Sequence, residues 1–167
     1  MCQFFEICTG MPVGADVNAL LGPPLPRFAA DGRISVRQGA RSDHLLFDWM
    51  HAPERDVVLF SSPLGQGLAE LGRDAGGAWL KLPGQAETRA GDLAALTQQL
   101  FGAALPLEVL ADWIGGSHPG TTGEVDGWRI DVTESAVFRE RRLPSRIEVR
   151  RDEIELKIVI TGWGDHD

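Results

Sequence analysis

The sequence predicts an α+β fold: one antiparallel sheet wrapped over two short helices that sit on one of its faces and close off an apolar interior. Three observations predict it. From Phe28 onward, runs with apolar residues at every second position occupy both ends of the chain. Two segments with helical spacing separate those runs, and turn residues punctuate them at hairpin-length intervals.

The first strand is GRISVRQ, in which Ile34 and Val36 face one way and Arg33, Ser35 and Arg37 the other. HLLFDWMH follows, with Leu45, Phe47 and Trp49 on one face. Beyond a turn at Ala52 to Arg55 come DVVLFSS, then LAELGRD after a loop, then AWLKL after the turn Asp74 to Gly77, making five strands in a row. The period then changes. In DLAALTQQLFG, Leu93, Leu96, Leu100 and Phe101 recur at helical spacing, Asp92 is placed to cap the start and Gly102 to end the helix. In PLEVLADWIGG, Pro106 suits the first turn, Leu107, Leu110, Trp113 and Ile114 form the apolar stripe, and Gly115 and Gly116 stop it. Strands resume with GWRIDV, which sets Trp128, Ile130 and Val132 on one face, then SAVFRERR, RIEVRRD and IELKIVITGW. The last aligns Ile154, Leu156, Ile158 and Ile160 on one side.

With 167 residues, the chain has the length of one domain. Residues 1–26 read as a leader or connector, because GPPLP at Gly22 to Pro26 stops any short helix formed by Ala15 to Leu21. Residues 27–165 read as a single folded domain. A hydrophobic fraction of 43% beside 24% charged residues is that of a globular protein. The net charge of −8, with Lys and Arg scattered among the acids, argues against a nucleic-acid surface. No apolar run approaches the roughly 18 residues a membrane-crossing helix needs. Cys2 and Cys8 lie ahead of the strand pattern, and a bridge between them would close only a tiny loop, so they read as incidental thiols. The opening MCQFFEICTG lacks the basic and long apolar regions of a secretory signal. Either the numbering starts downstream of a leader or the protein stays inside the cell.

Catalytic signatures are missing. His44 and His51, seven residues apart, fall on opposite faces, and His118 sits in a Gly/Pro loop; no histidine forms HExxH or pairs with a cysteine, so no metal site is expected. GxSxG and GxxxxGK do not occur, and GQGLAEL carries Glu70 where a dinucleotide fingerprint needs glycine. Asp131 and Glu134 read as a solvated strand face in preference to an acid–base couple. The expectation is a protein with no cofactor and no catalytic residues. One loop stands out. SSPLGQG places Leu64 between Pro63 and Gly65 at a hairpin tip, where polar residues are the rule. Its side chain either points outward or folds back onto the sheet.

The blocks DGRISVR, FDW, LFSSPLGQGLAEL, LTQQLFGAALPLEVLADWIGG, GWRIDV, LPSRIEV and IELKIVITGW, in that order, resemble the LolB lipoproteins from about Arg27 to Trp163. The most specific are SPLGQGLAEL, PLEVLADWIGG and LKIVITGW. The resemblance implies an incomplete antiparallel β-barrel, a curved sheet covered by short helices, enclosing a hydrophobic cavity for acyl chains. It implies a monomer at the periplasmic face of the outer membrane that receives triacylated lipoproteins from a LolA-like carrier and releases them into the bilayer. Pro63, Leu64 and Gly65 then match a membrane-touching loop, which favours an outward Leu64. The expected cavity lining is Ile34, Val36, Phe47, Trp49, Leu96, Leu100, Trp113, Trp128, Ile130, Leu156 and Ile158. A module of the same fold serving another hydrophobic ligand is the alternative. Two departures from the family pattern are visible. Glu6 and Ile7 stand before Cys8 where a lipobox has small residues, and Gly22, Pro23, Pro24 and Pro26 shorten the helix that usually precedes the first strand, which would open the cavity on that side.

Overall fold

A computed structural model of the chain describes residues 25–115, 121–138 and 141–164. The expectations for residues 1–24, for Cys2 and Cys8, for Gly116 and His118, and for the boundary at residue 165 lie outside the described residues. Six strands come first: β1 (Phe28–Gln38), β2 (Arg41–Ala52), β3 (Arg55–Ser61), β4 (Gly67–Asp74), β5 (Gly77–Lys81) and β6 (Thr88–Ala90). The helices α1 (Leu93–Phe101) and α2 (Leu107–Ile114) follow, and then β7 (Thr122–Val125), β8 (Trp128–Phe138), β9 (Arg141–Arg151) and β10 (Ile154–Gly164).

All ten strands belong to one sheet with the order β6-β5-β4-β3-β2-β1-β10-β9-β8-β7. The chain therefore folds as two antiparallel meanders joined where β1 pairs with β10, Ile34 opposite Ile158 and Val36 opposite Leu156. The sheet curves without closing, since β6 and β7 remain its two edges. A bulge places Thr161 of β10 as an extra residue opposite the Asp31–Gly32 step of β1. Only glycine fits there, because a Cβ on Gly32 would lie 1.9 Å from the Val159 carbonyl oxygen.

This is the α+β arrangement the sequence predicts, with three corrections in detail. Strands β6 and β7 carry no apolar alternation, having exposed or half-buried residues throughout, and escape a pattern search. GWRIDV and the first part of SAVFRERR form one continuous strand, β8, with irregular register between Val132 and Ser135, and the arginines that follow open β9. The first strand begins four residues earlier than its polar–apolar alternation indicates, at Phe28.

The two helices lie against the concave face. Helix α1 packs on β4, β5 and β6, while α2 contacts α1 and β9. Asp92 caps α1 by accepting from the Ala95 amide at 2.9 Å, and Gly102 ends it in a left-handed conformation. Pro106 sits at the cap position of α2, one residue ahead of its first turn. The stripes Leu93, Leu96 and Phe101 of α1 and Leu107, Leu110, Trp113 and Ile114 of α2 join the inward residues of the sheet in one continuous apolar core. Burial of that surface, at about 25 cal/mol per Å², is what holds two short helices in place.

The connector between the helices is pinned by a residue the sequence pattern does not mark. Thr97 is fully buried; its hydroxyl donates to the Ala94 carbonyl (3.0 Å) and accepts from the Leu105 amide (2.8 Å). Thr97→Val is expected to lower stability by about 1–3 kcal/mol, the cost of leaving a buried amide unpaired. Urea denaturation of both forms measures it, and equal midpoints would show the bond to be dispensable.

Candidate functional site

Two features of the fold bear on function. The first is the β3–β4 hairpin. Ser62 accepts from the Gly65 amide through its carbonyl (2.8 Å) and from the Gln66 amide through its hydroxyl (3.1 Å), and its own amide donates to the Gln66 carbonyl (2.8 Å). Pro63 fixes one backbone angle of this turn and Gly65 takes φ +90°, a conformation costly for any other residue. These three hydrogen bonds close the turn, which holds Leu64 in solvent at 97% exposure. Of the two orientations open to Leu64, the outward one is found.

The second feature is a small apolar hollow beneath α2. Ile34, Phe47, Trp49 and Ile158 line it, together with Val58, Phe60 and Leu107. Its volume is about 10 Å³, the space of about one water molecule, so the interior is closed in this conformation. Leu107, 2% exposed, is the one helix residue on its wall. Val36, Leu96, Trp113, Trp128, Ile130 and Leu156 are buried in the surrounding core without reaching the hollow, and Leu100 is only half-buried against that core. Trp128 instead borders a separate open groove of about 330 Å³ beside the helix connector, where Leu105, Leu107 and Arg151 also lie.

Sequence reasoning missed Val58 and Phe60. DVVLFSS is apolar on both faces, so alternation does not say which of Val57/Leu59 and Val58/Phe60 points inward. The structure buries Val58 and Phe60 and leaves Leu59 40% exposed.

One wall of the hollow rests on a buried polar cluster. The Trp49 indole N–H donates to Asp56 Oδ1 at 2.9 Å, His51 Nδ1 lies 2.5 Å from the same oxygen, and Arg73 Nε stands 2.6 Å from Oδ2 in an ion pair that lacks hydrogen-bond alignment. Asp56 is 1% exposed. Burial pushes its carboxyl upward, yet the hydrogen bonds from His51 and Trp49 and the charges of His51 and Arg73 outweigh it and hold the group below the ordinary carboxylate value. Phe28 stacks on His51 with 4.9 Å between ring centres and meets Trp163 edge-on at 5.9 Å, tying the cluster to the β1–β10 seam.

The residues considered for chemistry are dispersed. His44 lies outside on β2 beside Ser42, and His51 is inside. Asp131 pairs with Arg129 (3.3 Å) and Arg150 (3.9 Å), while Glu134 is exposed, a charged strand face. Among the described residues no group of three or more His, Cys, Asp or Glu is arranged to hold a metal ion.

Comparison with known proteins bears on this geometry. The family model described as outer membrane lipoprotein LolB matches residues 26–163. The outer-membrane lipoprotein LolB of Chromobacterium violaceum is 35% identical over 145 residues, covering 81% of this chain and 79% of that protein. Its counterparts from Thiobacillus denitrificans and an Azoarcus species are 32% and 30% identical, covering 84% and 87% of this chain and 82% of each relative. A crystal structure of a LolA superfamily protein from Nitrosomonas europaea superposes with a TM-score of 0.57 at 11% identity, covering 93% of this chain and 92% of that one, which shows a shared fold. The matched span runs from just before β1 almost to the end of β10 and takes in both the Leu64 hairpin and the helices over the hollow, so the chain belongs to the LolB family of outer-membrane lipoproteins.

Proposed function

We propose that this protein acts without covalent chemistry at the periplasmic face of the outer membrane, as a monomer, accepting acylated lipoproteins from a LolA-like carrier and inserting them into the bilayer. The observation that carries the reading is Leu64, 97% exposed at the tip of a turn closed by hydrogen bonds between Ser62, Gly65 and Gln66. A leucine fixed in water at the tip of a rigid hairpin gains only by meeting an apolar phase. Acyl chains leave water by about 0.8 kcal/mol per methylene, so they need a greasy container between membranes. The concave face under α2, with Ile34, Phe47, Trp49, Val58, Phe60 and Ile158, is that container once Leu107 moves aside.

Burying one leucine side chain is worth about 1.5–3 kcal/mol, too little for a lasting anchor. Among the described residues no helix is long and apolar enough to cross a membrane. Contact through Leu64 is therefore brief, opening an exit without holding the protein at the surface. With no nucleotide motif, transfer runs downhill from carrier to this chain to bilayer.

The test uses carrier loaded with triacylated lipoprotein, this protein and liposomes. Leu64→Glu should fold and accept lipoprotein as the parent does, since fully exposed positions change stability little. Delivery into liposomes should fall by roughly ten-fold or more, the free energy of one leucine leaving water. Delivery at the parental rate would overturn the role of Leu64.

A further inference from the structure

We infer that the outer face of the sheet beside the Leu64 hairpin is a docking surface for the anionic headgroups of a phospholipid bilayer. This rests on the insertion reading above and adds to it the charge of the membrane and the residues that sense it. An open groove of about 380 Å³ crosses β2, β1, β10 and β9 on that face, and Pro63 of the hairpin forms part of its wall. The groove and the exposed leucine are thus one continuous surface.

Strand register explains its composition. Arg33 stands opposite Leu46 on one side and Val159 on the other, and Val159 opposite Arg146; one step nearer the β1–β2 turn, Ser35 stands between His44 and Lys157. Cations therefore surround an apolar floor of Leu46 and Val159. Among the described residues no carboxylate lines the groove. That is unusual in a chain with 24 acidic residues against 16 Lys and Arg. Among the described residues neither Arg33 nor Lys157 has a carboxylate within ion-pairing distance, whereas Glu148, the register partner of Lys157, pairs with Arg146 at 3.7 Å. One register step beyond Arg33, away from the hairpin, Asp31 faces Asp48. The surface thus changes sign along β1, from acidic behind to basic beside Leu64.

A protein with net charge −8 is repelled by an anionic bilayer in most orientations. A local positive groove at the leucine tip selects the one orientation that brings Leu64 to the lipid. The attraction acts within about 8 Å at physiological salt, so it guides the last approach only.

Cosedimentation with zwitterionic liposomes and with liposomes containing phosphatidylglycerol tests this. The parent should bind the anionic liposomes more tightly, with the gain vanishing at high salt. Arg33→Ser combined with Lys157→Ser should lose roughly ten-fold of that gain while still accepting lipoprotein, which checks its fold. Arg33→Lys with Lys157→Arg should keep the gain, and so should Arg89→Ser, which removes a charge on the edge strand β6. Equal binding of the parent to both liposomes, an undiminished gain in the double serine variant, or an equal loss in Arg89→Ser would overturn the inference. Delivery to zwitterionic liposomes separates the two readings. If Leu64→Glu has no effect there, the insertion reading fails; if only the anionic gain is missing, the groove alone is wrong.

Discussion

Asp56→Ala is expected to lower stability by about 3–5 kcal/mol, because it removes the one anion from a buried cluster and leaves its partners behind. The Arg73 guanidinium would lose the carboxylate 2.6 Å away, and the Trp49 indole N–H would lose its acceptor inside an apolar interior. Urea denaturation followed by tryptophan fluorescence measures both the loss and any movement of Trp49. Asp56→Asn keeps the shape and one acceptor, so it should cost less. A pH series checks the same charge independently. The folded-state carboxyl is held below its ordinary value, so Asp56 stabilises the fold at all pH values above the unfolded carboxylate range near 4. That contribution is lost as pH falls from there through the lower folded value. The parent should therefore lose stability steeply on the acid side, and Asp56→Asn should lose less over the same range. An Asp56→Ala variant within 1 kcal/mol of the parent would show that the cluster is not holding this wall.

Why the cluster was illegible in the sequence while most strands were not follows from how each is encoded. Alternation in GRISVRQ, HLLFDWMH and IELKIVITGW is local, and each residue's face depends only on its neighbours two positions away. That is enough to place Ile34, Phe47, Trp49 and Ile158 inside. Leu64 was only half legible, since Pro63 and Gly65 mark the turn but leave its middle residue free to point outward or to fold back onto the sheet, and it was the resemblance to the LolB lipoproteins that favoured the outward side chain. Asp56 carries no such mark. It opens a strand after the turn Ala52 to Arg55, a usual place for a solvated acid, and it is buried only because β2 brings Trp49 and His51 beside it and β4 brings Arg73. Thr97 is similar, being one polar residue in a helix until the connector folds Leu105 back onto it. Contacts between elements, not periodicity, decide both. The size of the hollow was equally unreadable, because periodicity gives a face and says nothing of what fills the space above it.

That filling can be tested at Leu107. Leu107→Ala should cost about 2–5 kcal/mol, the range for truncating a buried leucine. It should also enlarge the hollow beneath α2, since Leu107 is the helix side chain on its wall. A fluorescent fatty-acid probe should then bind more tightly than to the parent, because the space that the parent must open is already present. Leu110→Ala supplies the contrast. Leu110 lies on the same helix, is fully buried and does not border the hollow, so its loss should reduce stability similarly without improving probe binding. Leu107→Trp acts in the opposite direction, overfilling the site at a cost of about 1–3 kcal/mol and slowing acceptance of lipoprotein. If the two alanine variants take up the probe equally, general loosening of the core explains the uptake and Leu107 is an ordinary core residue. If only Leu107→Ala gains, the first turn of α2 is the stopper of the acyl-chain site.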